Sequence, residues 1–296
     1  MQKEKELTQQ EAAPMKKRSQ MRDIWKRFRS NKLAMAGLII VAIIVLSAIF
    51  ANFIAPYDYD KQSFADRFLM PSAEHLFGTD NYGRDLFSRV LYGGRVSLLV
   101  SLLGLLISVG IGSIFGATAG YFGGLYETIV MRVMDIIMAV PGTLMAVSVS
   151  ALLGTGVWQT AIAVSIGGIA PSARMLRATV LTIREQEYVE AARARGSSNL
   201  RIIVRQILPN TLSPIIVDST LRIGTNIMMI SGLSFIGLGV QPPTPEWGSI
   251  LNTGREFITT FWPMITFPGL LIMLTMFGFN VMGDGLRDAL DPKLKH

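Results

Sequence analysis

Five stretches of this chain contain no Asp, Glu, Lys or Arg: Leu33–Tyr57, Val96–Tyr126, Ile136–Ala173, Ile223–Pro245 and Phe257–Gly283. A soluble fold has no use for uncharged runs of this length. An α-helix crossing a bilayer needs about 20 consecutive, largely apolar residues. Four of the windows therefore hold one helix each. The window Ile136–Ala173 is nearly twice too long for one crossing, and its "LGTGVW" (Leu153–Trp158) carries glycines suited to a tight turn. It reads as a hairpin of two spans. The expected fold is an all-α integral membrane protein with six transmembrane helices. Composition agrees: half of the 296 residues are apolar and only 17% are charged, too oily a balance for an ordinary soluble domain.

Basic residues set the expected orientation. Ten of the 28 Lys and Arg residues lie in the first 32 positions, and seven arginines lie between Arg174 and Arg205. With Arg287, Lys293 and Lys295 in the tail, six spans put twenty basic residues on the inner side and six on the outer, leaving Arg132 and Arg222 within spans. Arg84, Arg89 and Arg95 strain this scheme, although Asp80 and Asp85 lie beside two of them. The predicted organisation is a cytoplasmic basic tail over 1–32, a first transmembrane helix over 33–54 and an external loop over 55–95. A five-helix core follows over 96–286, with a cytoplasmic coupling segment at about 178–212 between spans 4 and 5, then a cytoplasmic tail over 287–296. The first apolar run is too long for the h-region of a cleaved signal and reads as a permanent span. The basic excess follows from the positive-inside bias, so nucleic acid is not an expected partner.

Several chemistries are closed to the chain. It has no cysteine, and its two histidines are His75, in a loop, and His296, the last residue. Thiolate chemistry, HExxH zinc sites and Ser–His arrangements are therefore excluded. There is no G-x-x-x-x-G-K-[ST] phosphate loop, and Lys61 is the only lysine between Leu33 and Pro292. No catalytic residue and no metal ligand is assigned. If ATP is used, another subunit binds it.

Against this apolar background "EYVEAARARGSSNLRIIVRQILPN" stands out. Arg184–Arg195 reads as a helix with glutamates early and arginines late, complementing the helix dipole. Gly196 suits a left-handed end. Ser197 or Ser198 can cap a second helix through Ile207, where Pro209 limits continuation. The second helix places Leu200, Ile203, Val204 and Ile207 on one face, while Tyr188, Ala191 and Ala192 give the first a small, flat apolar patch. The residues alone leave two readings open: a docking surface, or an amphipathic pair lying at the lipid interface.

The spacing E-A-A-x-x-x-G at Glu190, Ala191, Ala192 and Gly196, followed by I-L-P at Ile207, Leu208 and Pro209, resembles the EAA motif of ABC-importer permeases. The common form has one residue between the Ile and the Leu-Pro, and here Gln206 fills the usual Ile position. "FGTDNYGRDLFSRVLYGGRVSL" (Phe77–Leu98), "SFIGLGVQPPTPEWGSIL" (Ser234–Leu251) and "FNVMGDGLRDALDPKLK" near the C-terminus are similar to signatures of the dipeptide/oligopeptide/nickel group, in its second or "C" permease subunit. The resemblance implies that Tyr188, Glu190, Ala191, Ala192, Arg193, Gly196 and Leu200 form coupling helices seated in a groove of an ATPase. It also implies a heterodimer with a homologous permease, two ATPase subunits carrying ATP and Mg2+, an external substrate-binding protein and a bacterial-type cell membrane around the chain. No cofactor is expected on this chain itself. Both termini are expected in the cytoplasm. Short peptides are the expected substrate, with nickel the alternative within the group.

Other features keep two readings each. Arg132 and Asp135, three apart, and Asp218 and Arg222, four apart, can pair on one helix face. They are candidates for the translocation path or its gate, or else structural pairs between helices. Asp85–Tyr92 reads as a short amphipathic helix on the outer surface, and "QPPTPEWGS" as a stiff external loop. Arg84, Asp85 and Trp247 are candidates for external contact, with Trp247 better suited to an interfacial anchor. Pro141 and Pro171 are expected to kink spans. A secondary transporter with Asp135 and Asp218 as proton carriers is the rival class. The polar docking loop and the lack of repeated halves argue against it. An intramembrane protease would need a second aspartate motif besides "MGDG" (Met282–Gly285).

Overall fold

The structure, a computed structural model, describes residues 20–290. The expected tails over 1–19 and after 290 lie outside the described residues. Among those residues there is no strand, only an isolated bridge between Thr79 and Asp85.

The described end of the expected basic tail is helical. α1 (Gln20–Ser30) is a helix whose Phe28 is buried against Ala34 and Ala289. Asn31 then starts α2 (Lys32–Ile49), its side-chain oxygen accepting from the Leu33 and Ala34 N–H groups, both at 3.1 Å. A further turn, α3 (Ala51–Ile54), ends this first span near its predicted limit. The following loop ends at Asp85, not at 95. α4 (Leu86–Phe122) is one helix of 37 residues, about 55 Å long at 1.5 Å per residue. The separate helix expected over Asp85–Tyr92 is its first two turns. Gly93 and Gly94 do not interrupt it because they serve close packing: a Cβ on Gly94 would lie 2.9 Å from Cζ2 of Trp247.

After a turn at Gly123 come α5 (Gly124–Ala139) and α6 (Gly142–Leu153), bent by 86° where Val140 and Pro141 break the helix. The kink expected at Pro141 is thus a full break in the first arm of the hairpin, while the turn falls where "LGTGVW" predicted. α7 (Val157–Ile183) keeps Pro171 within a continuous helix. It lies alongside α4 in the same direction, forming the largest helix–helix interface of the described chain. Gly104, Ser108, Gly112, Gly116 and Gly120 recur every fourth residue on the α4 side, the small-residue spacing that lets membrane helices approach closely. A Cβ on Gly112 would sit 2.8 Å from Ile169 O, and one on Gly120 3.0 Å from Arg177 O.

Beyond the polar segment, α10 (Leu212–Phe235), α11 (Trp247–Gly254) and α12 (Pro263–Leu290) complete the chain; α8 and α9 lie within that segment. α12 packs along both α2 and α10. Among the described residues four helices are long and apolar enough to cross a membrane: α2, α4, the Asn199–Phe235 element that includes α10, and α12. The bent α5–α6 pair makes five if counted as one span, and α7 is long but not apolar enough to join them. The packing of Ala34 with Ala289 brings the start of α2 to the end of α12. A cavity of about 640 Å3 lined by Asn210, Ser213, Arg287 and Leu290 brings the start of α10 there too. The three segments expected on one side of the membrane share one end of the bundle.

Candidate functional site

At that end α8 (Glu187–Ala194) finishes in a left-handed Gly196 with φ +75°, and the Ser197 N–H donates to Ala192 O at 3.1 Å. The first helix is therefore shorter than Arg184–Arg195. Arg184 belongs to the end of α7, where its Nη1 donates to Gly120 O at 2.8 Å. Ser198 stands at the cap position of α9 (Asn199–Ile202), though its hydroxyl makes no capping bond. The second helix does not stop at Pro209. The backbone widens into a π turn over Ile203–Ile207, with Leu208 N–H reaching Ile203 O, then tightens to a 3₁₀ turn over Leu208–Thr211 that leads into α10. The wider turn accommodates a residue that has no N–H to give.

This loop is seated on the membrane helices by an apolar plug. Val189, Ala192, Ile202, Ile203 and Ile207 are buried together with Ala117 and Tyr121 of α4 and Leu176 and Val180 of α7. The Tyr121 hydroxyl donates to Asn199 Oδ1 at 2.9 Å, and the Arg193 guanidinium lies 5.7 Å from the Tyr121 ring. Tyr188, Glu190, Ala191, Arg193, Gly196 and Leu200 remain exposed, Leu200 at 72%. Ala192 does not: at 1% exposure it belongs to the plug and cannot touch a partner chain. Nor do Leu200, Ile203, Val204 and Ile207 share one face. The isoleucines point into the plug and Leu200 and Val204 outward, because the buried face is centred on the adjacent Ile202 and Ile203.

Above the plug the charged residues pair across helices. Asp135 lies 3.8 Å from Arg132, its expected partner, but 2.5 Å from Arg174 of α7. One layer nearer the loop, Arg177 pairs with Glu127. Asp218 and Arg222 pair as expected, and Arg222 Nη1 also reaches Gly168 O at 3.4 Å. In the sequence Arg174 and Arg177 count only toward the basic bias, and their pairing with Asp135 and Glu127 is not foreseen. Their signal was there: two arginines three apart at the edge of one apolar window, and two acids eight apart before it.

At the other end, the residues considered for external contact lie inside. Arg84, Asp85 and Trp247 are 4%, 2% and 1% exposed. Arg84 Nε donates to Asp80 at 2.7 Å, and Arg89 faces the same carboxylate at 3.5 Å. Asp85 faces His75 Nδ1 at 2.9 Å and caps α4 by accepting from Ser88 N–H at 2.7 Å. Trp247 donates from Nε1 to Val90 O at 2.9 Å, so it is neither an anchor at the lipid surface nor a docking residue. Two arginine–aspartate pairs and a buried indole hold the loop over residues 55–85 and α11 onto α4. Glu246, unremarked in the sequence, is also buried, accepting from Ser97 Oγ at 2.8 Å and Ser249 N–H at 2.9 Å.

A family model described as binding-protein-dependent transport system inner membrane component matches residues 112–296, and one described as the N-terminal TM domain of oligopeptide transport permease C matches residues 19–71. The chain belongs to the binding-protein-dependent transport permease family. The dipeptide transport system permease protein DppC of Alkalihalophilus pseudofirmus is 44% identical over 277 residues, covering 94% of this chain and 91% of that relative. The glutathione transport system permease protein GsiD of Escherichia coli is 44% identical over 289 residues, covering 96% and 95%. Among solved structures, the inward-facing MetNI methionine ABC transporter superposes with a TM-score of 0.50 at 18% identity, covering 69% of this chain and 94% of that one, a likeness of fold. The ABC-importer permease family expected from the EAA segment is thus the family found. The role that follows is transport by a multi-pass membrane subunit.

Proposed function

We propose that this permease takes up short peptides as the C-type subunit of a heterodimer, with ATP hydrolysed on two partner subunits docked at the α8–α9 loop. The observation that carries this reading is the division of that loop into two faces. Val189, Ala192, Ile202, Ile203 and Ile207 fix it to α4 and α7, while Tyr188, Glu190, Ala191, Arg193 and Leu200 are presented outward. A push on the outward face reaches two membrane helices through packed side chains and through the bonds from Tyr121 and Arg184, which is what coupling an external motor to a pathway requires. The shared end of the bundle is cytoplasmic on the basic bias of twenty to six.

Arg132, Asp135 and Arg174 belong to the pathway or to the partner permease interface on this reading. Their side chains are 78%, 45% and 50% exposed, and exposed charges within membrane-spanning helices face water or protein, not lipid. Asp218 and Arg222, more enclosed, flank the same region from α10. An outer binding protein completes the assembly and selects the substrate.

Relatives named for dipeptide and glutathione transport, at equal identity, support peptides of two or three residues. The test is reconstitution of the full chain with the products of neighbouring genes, followed by uptake measurements. ATP-dependent accumulation of labelled dipeptide is expected. Uptake of nickel but not of peptides would overturn the substrate, and uptake that survives ATP depletion but stops with an uncoupler would overturn the mechanism.

A further inference from the structure

At the end of the bundle opposite the α8–α9 loop, the helices leave a lateral groove of about 220 Å3. α2 contributes Val45 and Ile49 to its walls, α4 contributes Leu98 and Leu102, α10 contributes Ile223, and α12 contributes Phe279. All four helices belong to elements long and apolar enough to span a bilayer, so the groove lies within the membrane. Arg95 is the one charged residue lining it among the described residues.

Arg95 sits where α2 ends. Its Nε donates to Ala48 O at 3.1 Å, its Nη2 to Ile49 O at 2.9 Å and its Nη1 to Asn52 Oδ1 at 3.1 Å. Two of these are the orphan carbonyls of a helix C-terminus, which explains a cation at this position. They do not neutralise it. All three acceptors are uncharged, and three bonds leave two of the five guanidinium N–H groups unused. The Tyr92 ring lies 5.4 Å away, and Phe50 and Phe53 are exposed beside it, placing the guanidinium at the level of aromatic residues that mark a membrane boundary. An apolar channel running into the membrane below an uncompensated cation is complementary to one kind of molecule.

We propose that this groove binds one membrane phospholipid with a net negative headgroup, its phosphate on Arg95 and an acyl chain between α2 and α4. A zwitterionic headgroup brings its own ammonium, which competes with Arg95 for the phosphate, so the site discriminates by net headgroup charge. Bound there, the lipid ties the end of α2 to α4, the helix that also carries Tyr121 under the α8–α9 loop.

Native mass spectrometry of the full chain in detergent, with phosphatidylglycerol or phosphatidylcholine added, tests this. One phosphatidylglycerol per chain is expected, retained at least about tenfold more strongly than phosphatidylcholine, the scale of a charge-assisted hydrogen bond. Arg95→Gln removes the preference. Arg95→Lys, which cannot reproduce the planar fork of bonds to α2 and to Asn52 but keeps the charge, preserves it and so separates lipid binding from helix capping. Leu98→Trp fills the groove with Arg95 intact and lowers phosphatidylglycerol retention. Equal retention of the two lipids by the unaltered chain, or unchanged retention in both Arg95→Gln and Leu98→Trp, would overturn the proposal. So would loss of the lipid on assembly with the second permease, which would make the groove a protein interface.

Discussion

Gly196 has φ +75° with nothing within 4 Å of a Cβ built there, so a side chain at this position meets backbone strain and not a clash. Gly196→Val is expected to loosen the turn by about 1–3 kcal/mol, read as faster proteolysis between α8 and α9. Gly196→Asn, a residue that tolerates left-handed geometry, is expected to restore most of the protection. Equal proteolysis of the two variants would show that conformation is not what the glycine supplies. Ala192 is the contrasting case. Its methyl is packed among Val189, Ile202 and Ile207, so Ala192→Trp is expected to overpack the plug at a cost of about 1–3 kcal/mol or more. The measurable result is a lowered Tm of the isolated chain, before any partner is added. Ala191→Trp, one residue away and exposed, is expected to leave Tm within about 1 °C, since surface changes usually stay within ~0.5 kcal/mol. A matching drop in both would mean that the two faces are not distinct.

At the scale of elements, the α4–α7 contact carries the fold toward the loop, and it depends on backbones touching. Gly112→Leu would drive a branched side chain into Ser172 and Ile169 O. The expected outcome is a fall in detergent Tm several degrees beyond that of Gly110→Leu, whose position has nothing within 4 Å. Similar losses would show that the small-residue stripe is incidental. The apolar windows, the turn at "LGTGVW", the Gly196 terminus and the pair Asp218–Arg222 were legible in the sequence, whereas the stripe Gly104, Ser108, Gly112, Gly116, Gly120 acquires its meaning only from the helix packed on it. What was not legible depended on contacts distant in sequence. Pro141 ends a helix while Pro171 does not, and composition cannot distinguish a proline at an 86° break from one inside a packed helix. Trp247 looks amphipathic in sequence, yet Gly93 and Gly94 of α4 leave the space that buries it. Ala192 reads as part of an exposed patch because small residues suit both a surface and a core, and only Leu176 and Val180, on another helix, decide between them.

On the scale of the whole molecule, the structure gathers the start of α2, the α8–α9 loop and the end of α12 at one end, and the loop over residues 55–85 with α11 at the other. Single cysteines at Ser63 and Ser198 in this cysteine-free chain are expected to react with an impermeant thiol reagent from opposite sides of the membrane, and same-side labelling would break the proposed topology. The proposed lipid groove at Arg95 and the plug at Tyr121 lie toward opposite ends of the same helix, α4, which makes that helix the physical link between the groove and the α8–α9 loop. In the proposed function the outward face of the loop receives an ATPase subunit while its inward face holds the membrane helices. Cysteine crosslinking tests it most directly, with Leu200→Cys on the outward face and Ile202→Cys on the inward face, each in the assembled transporter. Leu200→Cys is expected to crosslink to an ATPase chain, and Ile202→Cys is expected not to. A crosslink to the ATPase from Ile202→Cys, or none from Leu200→Cys in a transporter that still carries out ATP-driven uptake, would contradict it.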